Sequence, residues 1–241
     1  MADANAAMFI TFLEEWMVRQ RNYHQELLTA QENRHRLRDS DKMELINRVL
    51  CHYEQYFEEK SKIAQRDIFL VFSPPWFSSL EKSFLWIAGF KPGKAFHLVN
   101  QAVRDLTNEQ RRRLSQLSME TRMKERDLND ELAKAHESLA SPPLVDTART
   151  HGRACLSRAR PTQARELERE ADEGPPSELR AAMESVVTSA DELRTNTALN
   201  VLQILRADQA VTFLTAVAEL QLKIRSLGFE KDAQRAAAQN H

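Results

Sequence analysis

Cysteine and glycine are scarce in this chain, with only two cysteines and five glycines among 241 residues. Cys51 and Cys155 lie in unrelated segments and neither belongs to a C-x-x-C pair, so a disulfide framework is excluded and a reducing, intracellular compartment is expected. Paired metal ligands are missing as well. The histidines are His24, His35, His52, His97, His136, His151 and His241, and no two are three or four positions apart. No helix therefore presents a ready ligand pair, and no metal is expected. Long apolar runs are also lacking: Phe84 to Phe90 is far short of a membrane span. The segment Met1 to Ala7 carries Asp3 and no basic flank, unlike a secretory signal. A soluble protein with no membrane partner is expected. Lys plus Arg number 34 against 35 Asp plus Glu, and a net charge of -1 offers no global attraction to nucleic acid or anionic lipid. There is no Gly-rich phosphate loop, no G-x-S-x-G elbow and no cysteine with an oriented base, so an enzyme is not expected.

What is present is helical. All eight prolines fall in two zones, Pro74, Pro75 and Pro92 in one and Pro142, Pro143, Pro161, Pro175 and Pro176 in the other. Three stretches, 1–73, 94–141 and 177–227, have neither proline nor glycine, and in a charged, Leu- and Ala-rich chain such lengths read as helix. Phe9, Phe12, Leu13, Trp16, Met17, Gln20, Tyr23 and Leu27 make one apolar stripe. Leu45, Ile46, Val49, Leu50, Tyr53, Tyr56 and Phe57 make a second, after a polar break at Arg34–Lys42. Thr107 and Gln110 have capping-box spacing, Asp208 is a candidate cap for a last helix, and Gly228 is placed to end it. Ile68 to Phe72 is the best strand candidate, but it abuts a helical pattern and has no partner. The fold class is all-α, a multi-helix bundle with long amphipathic helices.

Residues 140–176 differ in kind, with five prolines, two glycines and six arginines, and few large apolar groups to offset ordering entropy. They read as a flexible Pro/Arg-rich linker. The expected organisation is a single helical domain over 9–230 interrupted by that linker, with a disordered tail over 231–241.

The segment Phe72-Ser73-Pro74-Pro75-Trp76-Phe77-Ser78-Ser79-Leu80-Glu81, followed by Leu85 to Pro92, resembles the plant delay-of-germination domain, which also forms the C-terminal domain of TGA-type bZIP transcription factors. Trp16-Met17, His52 to Tyr56 and the lysine that follows, the Asp67 region, Leu106 to Gln110, Asp191 to Thr195 and Gln209-Ala210 are similar too. The resemblance spans roughly Phe9 to Glu230. It implies a non-enzymatic regulatory protein of seed dormancy, abscisic acid signalling or transcriptional regulation, in the nucleus and/or cytoplasm. Its implied partners are proteins, with phosphatases or transcription factors of hormone signalling as the classes, and a homo-oligomer is left open. The chain reaches Phe9 with no room for a basic region and zipper, so direct sequence-specific DNA binding is not expected.

Candidate sites follow from these readings. The aromatic groups Trp16, Trp76, Phe77 and Trp86 are candidates for partner binding, since tryptophan and other aromatics anchor interfaces. For Trp86 and Trp16 the competing reading is core packing. Arg111, Arg112, Arg113, Arg122 and Lys124 give a basic helix face, for which ion pairs with Glu109, Glu120 and Glu125 are the competing explanation. The resemblance brings haem into consideration, with His52 or His97 as a lone axial ligand. A helical sensor for haem or a lipid-like molecule is therefore the alternative to a protein-binding module, while no cofactor is the expectation.

Overall fold

The structure is a computed structural model that describes residues 2–139 and 177–239. Its helices are α1 (Ala2–Glu32), α2 (Asp39–Arg66), α3 (Ile68–Phe72), α4 (Ser79–Ser83), α5 (Lys94–Ala102), α6 (Asn108–Leu139), α7 (Ser177–Ile204) and α8 (Ala207–Gln239). No strand occurs among the described residues, so the all-α expectation holds. Ile68 to Phe72 is one helical turn, begun by Asp67, whose carboxylate accepts from the Phe69 amide at 3.0 Å. The linker expected over 140–176 lies outside the described residues.

By its internal packing the chain divides into two compact units, Met1–Glu125 with Val187–His241, and Arg126–Val186. In the smaller unit Leu128, Ala135, Leu179, Met183 and Val186 are buried. The larger unit is organised around α8, which packs against α1, α2, α4 and α5. The stripes explain this. Phe9, Leu13, Trp16, Met17, Gln20 and Leu27 of α1 are all buried, as are Leu45, Ile46, Val49 and Ile63 of α2. Leu27, Leu45 and Val49 join Phe96 and Val99 of α5, Leu114 of α6, Val201 of α7, and Val211 and Phe213 of α8 in one core. Each large apolar side chain so buried contributes about 1.5–3 kcal/mol.

Two glutamines join α6 to the α7–α8 corner. The Thr107 box forms, with the Thr107 amide donating to Gln110 Oε1 at 2.9 Å and the Gln110 amide donating to Thr107 Oγ1 at 3.1 Å. The Gln110 amide group also donates to the Ile204 carbonyl at 2.9 Å and to Gln209 Oε1 at 2.7 Å. Gln209, not Asp208, manages the start of α8, its Oε1 accepting from the Arg206 amide at 3.0 Å.

Gly228 does not end the last helix. α8 continues to Gln239, and residues 231–239, read as a disordered tail, are helical. Ala233, Ala236, Ala237 and Ala238 favour that continuation. Gly228 is instead a close-approach residue: a Cβ there would lie 2.0 Å from Ser78 Oγ and 2.8 Å from Ser78 Cβ.

Candidate functional site

The most unusual chemistry of the sequence, Pro74 to Gly93, is a segment of turns around the short α4, held by charged side chains from distant helices. Its first half turns at Pro74, which is buried, and places Trp76 in the interior, 7% exposed with its ring 4.4 Å from that of Phe9. Ser78 then opens α4 through a capping box: Ser78 Oγ accepts from the Glu81 amide at 3.2 Å, and Glu81 Oε2 accepts from the Ser78 amide and hydroxyl, both at 2.8 Å. The other Glu81 oxygen pairs with Arg225 at 3.0 Å, and Arg225 also donates to the Trp76 carbonyl at 3.4 Å. Asp232 accepts from the Ser79 amide at 2.8 Å. Arg225, Gly228 and Asp232 lie on one face of α8, spaced three and four apart. That face is the first clasp.

The second half folds into a tight turn. The Trp86 amide donates to the Gly89 carbonyl at 2.6 Å, and the Gly89 amide returns to the Trp86 carbonyl at 3.2 Å. Ile87 and Ala88 between them have φ of 43° and 58°, the left-handed region. A hairpin turn with both central residues left-handed normally uses Asn-Gly or Gly-Gly, and a β-branched residue there is a steric outlier. Each such residue costs on the order of 1–3 kcal/mol and persists only where its surroundings over-determine it.

Arg194 of α7 supplies that determination. Its guanidinium donates to the carbonyls of Trp86, Ile87 (2.8 Å) and Phe90 (2.7 Å), and lies 5.3 Å from the centre of the Trp86 ring. Asp191, one turn earlier, pairs with Arg194 and with Lys60 of α2, both Asp191 oxygens accepting from the Lys60 ammonium at 2.8 Å. Burial pulls the Lys60 ammonium down to about 8, against the attraction of Asp191 and helped by the neighbouring Arg194 charge. Burial likewise pulls Arg194 below its ordinary range while Asp191 opposes it. The Tyr56 phenol beside them is pushed above its usual range, chiefly by burial and then by Asp191. At the end of the segment, Glu125 of α6 accepts from the Gly93 amide at 2.7 Å and faces Lys91 at 3.4 Å.

These charges hold main chain in place. They leave Phe84 37% exposed and Phe77, Trp86 and Phe90 half-buried on the outside of the segment, with the Lys94 ammonium 4.4 Å from the Phe84 ring centre and 5.2 Å from that of Phe90. Of the aromatic candidates, Trp76 is buried in the core and Trp86 is partly open. Trp16 is fully buried, its indole donating to the His52 carbonyl at 2.8 Å. Arg111, Arg112, Arg113, Arg122 and Lys124 are all exposed, with Arg112 paired to Glu109 at 2.8 Å, the geometry of a solvated helix face.

The two histidines weighed for haem are placed very differently. His97 is exposed on α5, not packed. His52 is buried, its ring stacked on Trp16 at 4.2 Å and 5.0 Å from the Tyr23 ring. Arg19, Glu44, Asn47 and Gln55 line the groove beside it. No metal-ligating cluster of three or more His, Cys, Asp or Glu occurs among the described residues, and no helix there is long and apolar enough to cross a membrane.

Lys60, Asp191, Arg194, Glu81 and Arg225 escape a reading that assigns charged residues to solvated faces. A signal for two of them exists. Lys60 falls four after Tyr56 and three before Ile63, and Arg194 four after Ala190 and three before Thr197, so both stand in the inward register of their helices.

A family model described as seed dormancy control (DOG1) matches residues 24–101, which carry Lys60 and the Trp86 turn. Protein ZW2 of Arabidopsis thaliana is 34% identical over 228 residues, covering 93% of this chain and 98% of that protein. Protein RESPONSE TO ABA AND SALT 1 of the same plant is 32% identical over 238 residues, covering 97% and 98%. Transcription factor TGA7 is 27% identical over 92% of this chain, but the match takes in only 55% of that factor. Near-complete coverage of two relatives above 30% identity leaves one conclusion: the chain belongs to the DOG1 family of plant regulatory proteins.

Proposed function

We propose that this protein is a non-catalytic adaptor in dormancy, abscisic acid signalling or transcriptional control, and that it acts in the nucleus by binding other proteins. The observation that carries the reading is the Pro74–Gly93 segment. Charged side chains of α6, α7 and α8 bond its main chain, with Lys60 of α2 paired to Asp191 behind Arg194, while Phe77, Phe84, Trp86 and Phe90 stay accessible on its outside. A rigid loop presenting aromatic groups loses little entropy on docking, which is how interface anchors gain affinity. Names of relatives support the process: one responds to abscisic acid and salt, and others are transcription factors. Phosphatases or transcription factors of hormone signalling are the partner classes.

The test is proximity labelling in developing seed with the wild-type chain and a Phe84→Ser/Phe90→Ser variant. A set of partners captured by the wild type and lost by a normally folded variant supports the reading. Identical partner sets would move the interface elsewhere.

A further inference from the structure

On the reading of Pro74–Gly93 as a protein interface, on which this rests, we propose that Phe84, Phe90 and Lys94 dock an acidic, apolar-rich peptide segment of the partner. One Asp or Glu of that segment pairs with Lys94, and its apolar neighbours lie on the two rings.

Lys94 is the cation of this surface that the fold leaves without a counter-charge. It is half-buried, and its ammonium lies over two rings, 4.4 Å from the centre of Phe84 and 5.2 Å from that of Phe90. Among the described residues no carboxylate pairs with it, because the acids of the segment are engaged elsewhere. Glu125 faces Lys91 at 3.4 Å and accepts from the Gly93 amide, and Glu81 pairs with Arg225 at 3.0 Å. From Lys82 to Arg104 the sequence holds no Asp or Glu at all, so no acid of the same stretch can swing across to serve Lys94. Burial holds the ammonium below its ordinary range, with no neighbouring carboxylate to raise it. Two rings can take up two of its three N–H groups, and the third calls for an oxygen.

The three groups stand on fixed main chain. The Phe84 amide donates to the Glu81 carbonyl at 3.1 Å, the Phe90 carbonyl accepts from Arg194 at 2.7 Å, and the Lys94 amide donates to the Lys91 carbonyl at 3.1 Å. A site held this way is ordered before its partner arrives, which favours affinity.

The chemistry then selects the occupant. One uncompensated ammonium beside two accessible rings matches one carboxylate with apolar neighbours, which cover the rings and shield the ion pair from water. Nucleic acid draws its affinity from several phosphate contacts at once, and phosphorylated motifs are met by arginine clusters. Neither is available here: Lys91 is paired with Glu125, while Arg194 and Arg225 are engaged with main chain and with Asp191 and Glu81.

The experiment selects a phage-displayed library of random peptides on the full chain and on its Lys94→Glu variant. The wild type is expected to enrich peptides that set Asp or Glu beside Leu, Phe or Trp, and Lys94→Glu to lose them in favour of Lys- or Arg-bearing ones. The strongest wild-type peptide, resynthesised, should bind Lys94→Met roughly tenfold more weakly, as loss of one charge-assisted hydrogen bond does. It should shift the Lys94 side-chain NMR signals of the wild type saturably, and fail on Phe84→Ser/Phe90→Ser. Circular dichroism checks that each variant folds; if Lys94→Met melts early, the Lys94→Glu selection decides, since an acidic residue in the first turn of α5 suits the helix dipole. Enrichment without regard to charge, or binding that survives Lys94→Met, overturns the proposal and leaves the aromatic interface standing. Binding that survives Phe84→Ser/Phe90→Ser overturns it by placing the peptide elsewhere. Tighter Lys94-dependent binding of a phosphoserine version of the peptide, or of a single-stranded oligonucleotide, overturns the choice of a carboxylate segment. No enrichment at all overturns it as well, and the proximity labelling above then decides separately whether the segment is an interface.

Discussion

The guanidinium of Arg194 fills the space that a side chain on residue 89 would need: a Cβ built on Gly89 would lie 2.8 Å from both Nε and Cζ of Arg194. The glycine therefore serves the arginine, which in turn holds Ile87 and Ala88 in their left-handed turn. Gly89→Ala should displace the guanidinium from three carbonyls and destabilise the protein by about 1–3 kcal/mol, as overpacking does. Thermal unfolding should show a loss of about 2–4 °C per kcal/mol for a chain of this size. An unchanged melt would mean that the turn holds itself.

Gly228→Ala offers a test of sign. In an ordinary helix interior the exchange stabilises by about 1 kcal/mol. Here the new methyl would meet Ser78 Oγ at 2.0 Å, so a net loss of stability is expected. A higher urea midpoint in the variant would contradict the close approach of α8 to Ser78.

Asp191→Asn should cost about 3–5 kcal/mol, because it leaves buried cations without their carboxylate. Lys60→Met should cost less, since Asp191 keeps Arg194 and a linear apolar chain replaces the lysine stem. The pH dependence separates the two. The folded protein releases the Lys60 proton near pH 8, the unfolded chain near 10.5. Between those values the unfolded state binds more protons, so this group makes stability rise with pH there. Urea midpoints across pH 7 to 10.5 should lose that increment in Lys60→Met.

His52 acts at the acid end. Burial holds its folded pKa at about 4 against 6.5 unfolded, so between these values the unfolded chain takes up a proton that the folded one refuses. Its contribution to stability is complete above pH 6.5 and declines as pH falls toward 4. His52→Phe keeps a ring on Trp16 and should flatten this part of the stability curve. A slope identical to that of the wild type would show that the imidazole is not excluded from charging.

Trp76→Ala should lower stability by about 3–5 kcal/mol, the cost of a large core aromatic. Phe84→Ser, on the outside of the same segment, should stay within about 0.5 kcal/mol, as exposed substitutions do. Denaturation of the two variants side by side checks whether inside and outside are assigned correctly.

Much of the helical framework is legible in the sequence because it is periodic. The α1 stripe even includes Gln20 at an inward position, and Gln20 is buried, donating to the Tyr53 hydroxyl at 2.7 Å and to Gln221 at 3.0 Å. The site is less legible. Two prolines announce a turn but do not say which following aromatic points inward, and the answer for Trp76 depends on Phe9, a contact that no local pattern encodes. Gly228 carries the same lesson. A glycine late in a helical pattern reads as a terminator, and only the approach of Ser78 shows that it permits contact instead.

The clasped segment also sets an order of events during synthesis. Trp76 bonds to Arg225, 149 positions later, and Trp86 to Arg194, 108 positions later. At about 5–20 residues per second, the supports leave the ribosome roughly 5–30 s after the segment they hold. During that interval the Ile87–Ala88 turn has nothing to keep it left-handed, and Trp76 lacks the α8 face that closes over its loop. A nascent chain halted before Arg194 should therefore bind holdase chaperones through this segment, and release should coincide with the emergence of the last two helices.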